Sequence, residues 1–148
     1  MPGTTTTANG KLLHPVKYFL LRVPDIDTVG LFTHCSGLSL EVEVFQYVEG
    51  GNNWMAHNLP TRLRYPNLVL KRGLSAEEKL LKWFEESRAK PNRKEVAIHF
   101  QTATRQILRT WTFVGAYPVK WTGPTFEATS DVVALETLEI AHEGLKGL

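Results

Sequence analysis

Five histidines, one cysteine and a pair of neighbouring glutamates are the residues with the chemistry for metal binding, nucleophilic attack or acid–base work. The histidines are His14, His34, His57, His99 and His142, and no two stand at the spacing that puts both imidazoles on one face of a metal-binding helix. A single thiol cannot build a thiolate zinc site, so neither a metal nor a cofactor is expected. Cys35, beside Ser36-Gly37, reads as a small buried hydrophobe, and being alone it excludes an intrachain disulfide. Gly50-Gly51 lacks the Lys-Ser/Thr and the helix of a phosphate loop, and there is no Gly-x-Ser-x-Gly elbow. Glu41 and Glu43 share a strand face, but a working acid–base pair needs environments that push two pKa values apart, and nothing around them does so. They read as a solvated face. No catalytic residue is assigned, and the chain is not expected to be an enzyme.

Nucleic-acid binding has more support. Arg62, Arg64, Lys71 and Arg72 lie near one long irregular segment, and Arg88, Lys90, Arg93 and Lys94 near the end of a helix, with aromatics available for stacking on a small barrel. Against it, Glu77, Glu78, Glu85 and Glu86 are interleaved with these cations, and the net charge is only +2. A small β-barrel that binds single-stranded nucleic acid stands as the alternative of a different class.

The elements that would position such residues are mostly strands. At 148 residues, 43% hydrophobic and 22% charged, the chain is sized and composed for one folded domain. The Thr-rich residues 1–14 are expected to be a mobile leading segment, followed by a single domain over 15–148. The first residues have neither a basic nor an apolar region, so no secretory signal is read, and no apolar run reaches membrane-spanning length. The expectation is cytoplasmic assembly without a membrane anchor.

Strands are expected over Val16–Val23, Val29–His34 and Asn67–Lys71, with a turn at Pro24-Asp25-Ile26-Asp27. Leu38–Val48 alternates most clearly: Leu38, Leu40, Val42, Val44 and Val48 read as a core face, and Glu41, Glu43, Phe45 and Tyr47 point the other way. Residues 49–66 show no periodicity yet carry Trp54, Met55, Leu59, Leu63 and Tyr65, so they read as an extended loop serving as an arm, or else folded back over the core. Ser75-Ala76-Glu77-Glu78 is a capping box for one helix, whose apolar stripe is Leu80, Leu81 and Phe84 with Trp83 at its margin, ending at Pro91-Asn92. Lys94–Thr102 and Arg105–Tyr117 read as a hairpin about Ala103-Thr104. Pro118 should end the second strand, and a loop holding Gly123, Pro124, Ser130 and Asp131 leads to a closing strand from Val132. The sum is a mainly β chain of about seven strands and one helix, without the β-α-β alternation of a parallel sheet.

In order and spacing these residues resemble the contractile phage tail-tube protein family, which includes the inner tube proteins of bacterial contractile injection systems. The resemblance runs over residues 14–145. It is carried by Ser36-Gly37-Leu38, Glu49-Gly50-Gly51, Tyr65-Pro66-Asn67-Leu68, Leu70-Lys71-Arg72-Gly73, Ala116-Tyr117-Pro118-Val119-Lys120-Trp121, Gly123-Pro124 and Glu136–Leu145. It implies two packed antiparallel sheets forming a β-barrel-like sandwich with one flanking helix. It also implies hexameric rings stacked head to tail inside a sheath, driven through a target envelope on contraction. The partners implied are further copies of the chain, a sheath protein, baseplate and tube-initiator proteins, a tube terminator or cap, and a possible cargo in the lumen. On that reading Trp54, Met55, Leu59 and Tyr65 are the expected inter-subunit or inter-ring contacts, since aromatics and Met are enriched in interface cores. Glu41, Glu43, His99 and Gln101 are lumen-facing candidates. A baseplate ring protein of the same fold that initiates the tube is the alternative within the family.

Overall fold

The computed structural model describes residues 6–8, 11–13, 16–51, 54–73, 78–126, 128 and 133–146. Along them run β1 (Thr6–Ala8), β2 (Lys11–Leu13), β3 (Tyr18–Val23), β4 (Asp27–Phe32), β5 (His34–Ser36), β6 (Glu41–Val48), β7 (Ala56–Arg64), β8 (Leu68–Gly73), α1 (Lys79–Ala89), β9 (Lys94–Gln101), β10 (Ile107–Thr122), β11 (Leu135–Ala141) and β12 (Gly144–Lys146). The leading segment contains a short ladder, β1 antiparallel to β2. No helix among the described residues is long and apolar enough to cross a membrane.

Period-two alternation builds the body. In β9, Val96, Ile98 and Phe100 are buried, as their spacing predicts, and β3, β8 and β11 add Leu21, Val23, Leu68, Leu70, Leu138 and Ile140 to the same core. Each such aliphatic side chain contributes about 1.5–3 kcal/mol by leaving water. The strands follow the order β4-β3-β9-β10-β11-β8-β5, with β12 also on β10. β4 and β5 are the two ends of that path, yet only Thr33 separates them in the chain. Its N–H donates to the Lys71 carbonyl at 3.0 Å. The sheet is therefore folded back on itself into two antiparallel layers around one core, and among the described residues no ladder joins β4 to β5 to close a barrel.

β10 makes the opposite corner. Its first part pairs with β9 as far as Ala116↔Lys94, and its second part, from Tyr117, pairs with β11. Gly115 stands at the change of layer with φ +61, a left-handed backbone that favours glycine, while a Cβ there would meet the Glu143 side chain, whose exposed end can move aside. Pro118 does not end the strand. Among the described residues β10 has a neighbour on one side only beyond Ala116, where a residue without an N–H leaves the ladder intact, and a register shift follows between Pro118 and Lys120.

The helix lies one step round from its expected phase. Leu80, Trp83 and Ser87 are its buried residues, while Leu81 is exposed. Trp83 is thus the centre of the buried stripe, because an indole removes more apolar area from water than a leucine and so decides between two neighbouring faces. The N-cap is Glu78, without a side-chain bond, and the capping serine expected at Ser75 lies outside the described residues. Lys90 is extended, as the residue before Pro91 must be to avoid the proline ring.

One ion pair is buried in this core. The Arg72 guanidinium donates to the Glu136 carboxylate at 2.9 Å and lies over the Phe32 ring, with both charged side chains almost wholly covered.

Candidate assembly surface

Among the described residues β6 and β7 pair only with each other, from Glu41↔Arg64 to Val48↔Ala56, with a bulge between Val42 and Val44. Every residue of both strands is exposed except Glu43, which is half-buried. The expected loop over 49–66 is therefore largely a strand, β7. Its irregular sequence hid it, because a bulge breaks the alternation and Pro60 sits inside it. The expected core face of the preceding strand is also corrected: Leu40, Val42, Val44 and Val48 are exposed, Val44 at 56%. Alternation specifies that one face must leave water, but not whose surface covers it.

The hairpin is held internally by the Thr61 hydroxyl donating to the Glu43 carbonyl at 2.9 Å and by an Arg64–Glu43 ion pair at 3.0 Å. That pair is open to solvent and contributes little. Phe45, Tyr47, Leu59 and Leu63 add to the exposed apolar surface, and Trp54 and Met55 stand at its turn, Trp54 at 92% exposure. Isolated two-stranded hairpins are marginal in water, and exposed apolar surface of this kind marks an interaction site.

Of the four expected contact residues, Trp54, Met55 and Leu59 ride on this projection. Tyr65 sits at its base, where its half-buried ring lies 5.6 Å from that of His142. His142 also meets Phe113 edge-on at 4.9 Å. Burial lowers the His142 pKa. Neither ring nitrogen has a partner in hydrogen-bond geometry, although the backbone of Gly144 and Pro66 lies close enough to oppose part of that shift.

The four lumen candidates do not gather. Glu41 and Glu43 are on the hairpin, whereas His99 and Gln101 are on β9. His99 is half-buried, with Nδ1 2.7 Å from the Thr110 hydroxyl, and its pKa is lowered by burial and then by the Arg22 charge. Gln101 is only 7% exposed, which does not suit the wall of a water-filled channel. Its backbone serves the body instead, the carbonyl accepting from the Lys17 N–H at 2.9 Å.

A second exposed apolar group escaped the sequence reading. Val119, Trp121, Phe126, Val133 and Leu135 cluster along the chain where β10 ends and β11 begins, with Phe126 71% exposed. The signal was available in their residue types, but Pro118 suggested the end of a strand, the stretch after it was read as loop, and Val133 and Leu135 were read as part of the closing strand.

The remaining chemistry is sparse. Among the described residues no three His, Cys, Asp or Glu side chains gather to hold a metal. Burial pushes the Cys35 thiol up to about 12, so it carries almost no thiolate at neutral pH. A cleft of about 410 Å³ between α1 and the β3–β4 turn mixes Lys79, Lys82 and Lys94 with Asp25 and Glu86. The basic residues do not form one face: Arg72 is in the core with Glu136, Arg64 pairs with Glu43, Arg93 with Glu143 and Lys94 with Asp25. A continuous positive track for a nucleic-acid backbone is what a single-strand binder needs.

The family described as T4-like virus tail tube protein gp19 matches this chain over residues 15–146. The fold is similar to a chain in the baseplate of the anti-feeding prophage, solved with 6-fold symmetrisation: 26% identity, TM-score 0.74, covering 95% of this chain and 96% of that one. A chain in the sheath/tube terminator of an extracellular contractile injection system, in the extended state, is 25% identical with TM-score 0.75, over 88% and 93%. A chain of the sheath–tube complex of such a system shares the fold at TM-score 0.78 and 22% identity, over 95% and 97%. No curated protein matches the chain.

Proposed function

The chain belongs to the T4-like virus tail tube protein gp19 family, and on that premise we propose that it is the repeating subunit of the hollow inner tube of a contractile injection system. Six copies form a ring, and rings stack head to tail inside a sheath. Family membership supports the tube role, and the 6-fold symmetry of the related baseplate structure supports the ring. The proposed partners beyond the chain itself are a sheath protein, a baseplate and a terminating cap, which are the assemblies holding similar chains. The work is mechanical. Rigidity comes from strand pairing carried from copy to copy, and passage through an envelope is driven by the sheath.

The observation that carries this reading is the β6–β7 hairpin. It has apolar side chains exposed along its length and forms a sheet of its own, apart from the body. A protein that worked alone would gain nothing from it and would risk edge-to-edge aggregation. In a polymer the same hairpin becomes the arm that binds the neighbour, with Trp54, Met55 and Leu59 as its anchors and Tyr65 fixing its base. Glu41 and Glu43 are proposed for the lumen wall together with His99.

Deleting residues 52–59 tests this. The deleted chain is expected to melt within a few degrees of the parent and to form no rings or tubes by negative-stain imaging. Normal tubes from it would sink the arm assignment. A second reading, the tube-initiating baseplate ring protein, is favoured by the 26% identity to the baseplate chain. Imaging of the parent at rising concentration separates the two, since the initiator stops at rings and the repeating subunit grows.

A further inference from the structure

Among the described residues no ladder joins β6 or β7 to the body, so the direction in which the hairpin projects is set at its base. Its two legs pass each other there in close approach: a Cβ on Gly37, whose φ is +87, would lie 2.1 Å from the Asn67 carbonyl oxygen. The outgoing leg, Tyr65-Pro66-Asn67, is laid against the turn between β11 and β12. The Tyr65 ring is 5.6 Å from that of His142, and its hydroxyl comes within 4.0 Å of where a Gly144 Cβ would stand. His142 also meets Phe113, which is fully buried, at 4.9 Å. One imidazole therefore connects the hinge of the hairpin to the core.

An imidazole is a costly choice for that place. Both of its ring nitrogens are shut off from solvent and lack a partner in hydrogen-bond geometry, whereas a phenylalanine would fill the same cage with no polar atom to satisfy. What histidine adds is a charge change near neutral pH. The groups around it are the Tyr65 phenol and the Pro66 backbone from the β7–β8 link, Phe113 from β10, the Gly144 backbone from β12, and Glu143 beside it in the chain. Glu143 pairs with Arg93, and Arg64, next to Tyr65, pairs with Glu43. The backbone of Gly144 and Pro66 favours the charged ring in part, but burial outweighs it.

We propose that His142 is a pH-sensitive latch on the hairpin: neutral, it holds Tyr65 against the body and fixes the direction of projection; protonated, it leaves its cage and frees the hinge. An unlatched His142 has the ordinary value of 6.5 and takes the proton first. The latch is thus fully closed above about pH 6.5, and one pH unit lower its open fraction has risen by up to about tenfold. The effect on assembly rests on the tube-subunit reading. There, a hairpin without a fixed direction must be ordered at every contact, so growth needs more protein.

Hydrogen exchange on the dilute parent, corrected for the intrinsic effect of pH, tests the latch apart from assembly. Between pH 7.5 and 5.5, exchange in 65–69 and 142–146 is expected to rise by up to about tenfold, with 96–100 of β9 unchanged. Over the same window the threshold concentration for tubes is expected to rise to a similar degree. His142→Phe keeps the ring contacts and cannot titrate, so it is expected to abolish both responses. A parent whose exchange at 65–69 and 142–146 stays constant, or a folded His142→Phe that responds to pH as the parent does, would overturn the latch and leave the tube reading standing. If His142→Phe does not fold, the parent's exchange decides alone. A parent that forms no tubes at pH 7.5 would overturn the tube reading, and exchange would still judge the latch.

Discussion

Arg72 and Glu136 show what a buried charge does in a sheet core. At 2.9 Å the two ions offset each other's loss of water. Glu136→Ala is expected to cost about 3–5 kcal/mol, because it removes the carboxylate that balances a buried guanidinium packed on the Phe32 ring. A denaturant titration checks it, and a loss below about 1 kcal/mol would mean that water reaches the site. His142 makes a pH-dependent statement. Burial lowers its folded pKa beneath the ordinary 6.5, while the unfolded chain keeps the ordinary value. Below that value the unfolded chain takes the proton first. The stability that comes from keeping the ring neutral is therefore complete above about pH 6.5 and is lost as pH falls through 6.5 toward the folded value. His142→Gln is expected to shrink the fall in Tm between pH 7.5 and 5. An unchanged fall would assign it to His99, whose shift has the same direction.

Among the elements, β9 was legible and α1 only half so. Val96, Ile98 and Phe100 are buried where strict alternation puts them, since a strand has only two faces and one choice of phase. A helix has more. Leu80, Leu81, Trp83 and Phe84 are packed closely enough along the chain that the stripe could centre on either side, and only the surface it meets selects Trp83. Trp83→Ala is therefore expected to cost about 3–5 kcal/mol, and Leu81→Ala well under 1 kcal/mol, by thermal or chemical unfolding. Equal costs would return the helix to its first phase. β7 was missed because a bulge and Pro60 break the two-residue alternation in its sequence.

For the whole molecule the deciding quantity is concentration. A polymer whose contacts are apolar side chains and backbone pairs grows above a threshold concentration and is little affected by salt, whereas single-strand binding weakens steeply as salt rises. Light scattering at 50 and 500 mM salt is expected to give similar growth for this chain. Loss of assembly on raising salt would bring back the charge-driven alternative. The hairpin and the end of β10 both carry apolar side chains that a single copy leaves exposed.

By itself the sequence determined the mainly β class, the strands of the core, the single helix and, through the order of its motifs, the family. Those follow from local rules: two-residue alternation, turn residues, and a helix stopped before Pro91. Only the tertiary structure decided that Thr33 and Gly115 are the two corners of a folded-back sheet, that β10 runs through Pro118, and that Val42, Val44 and Val48 lie outside the core. The physical reason is that a hydrophobic pattern records the need to leave water and is silent about the partner. Which surface meets that need is a property of strand order, and beyond the single chain, of the assembly.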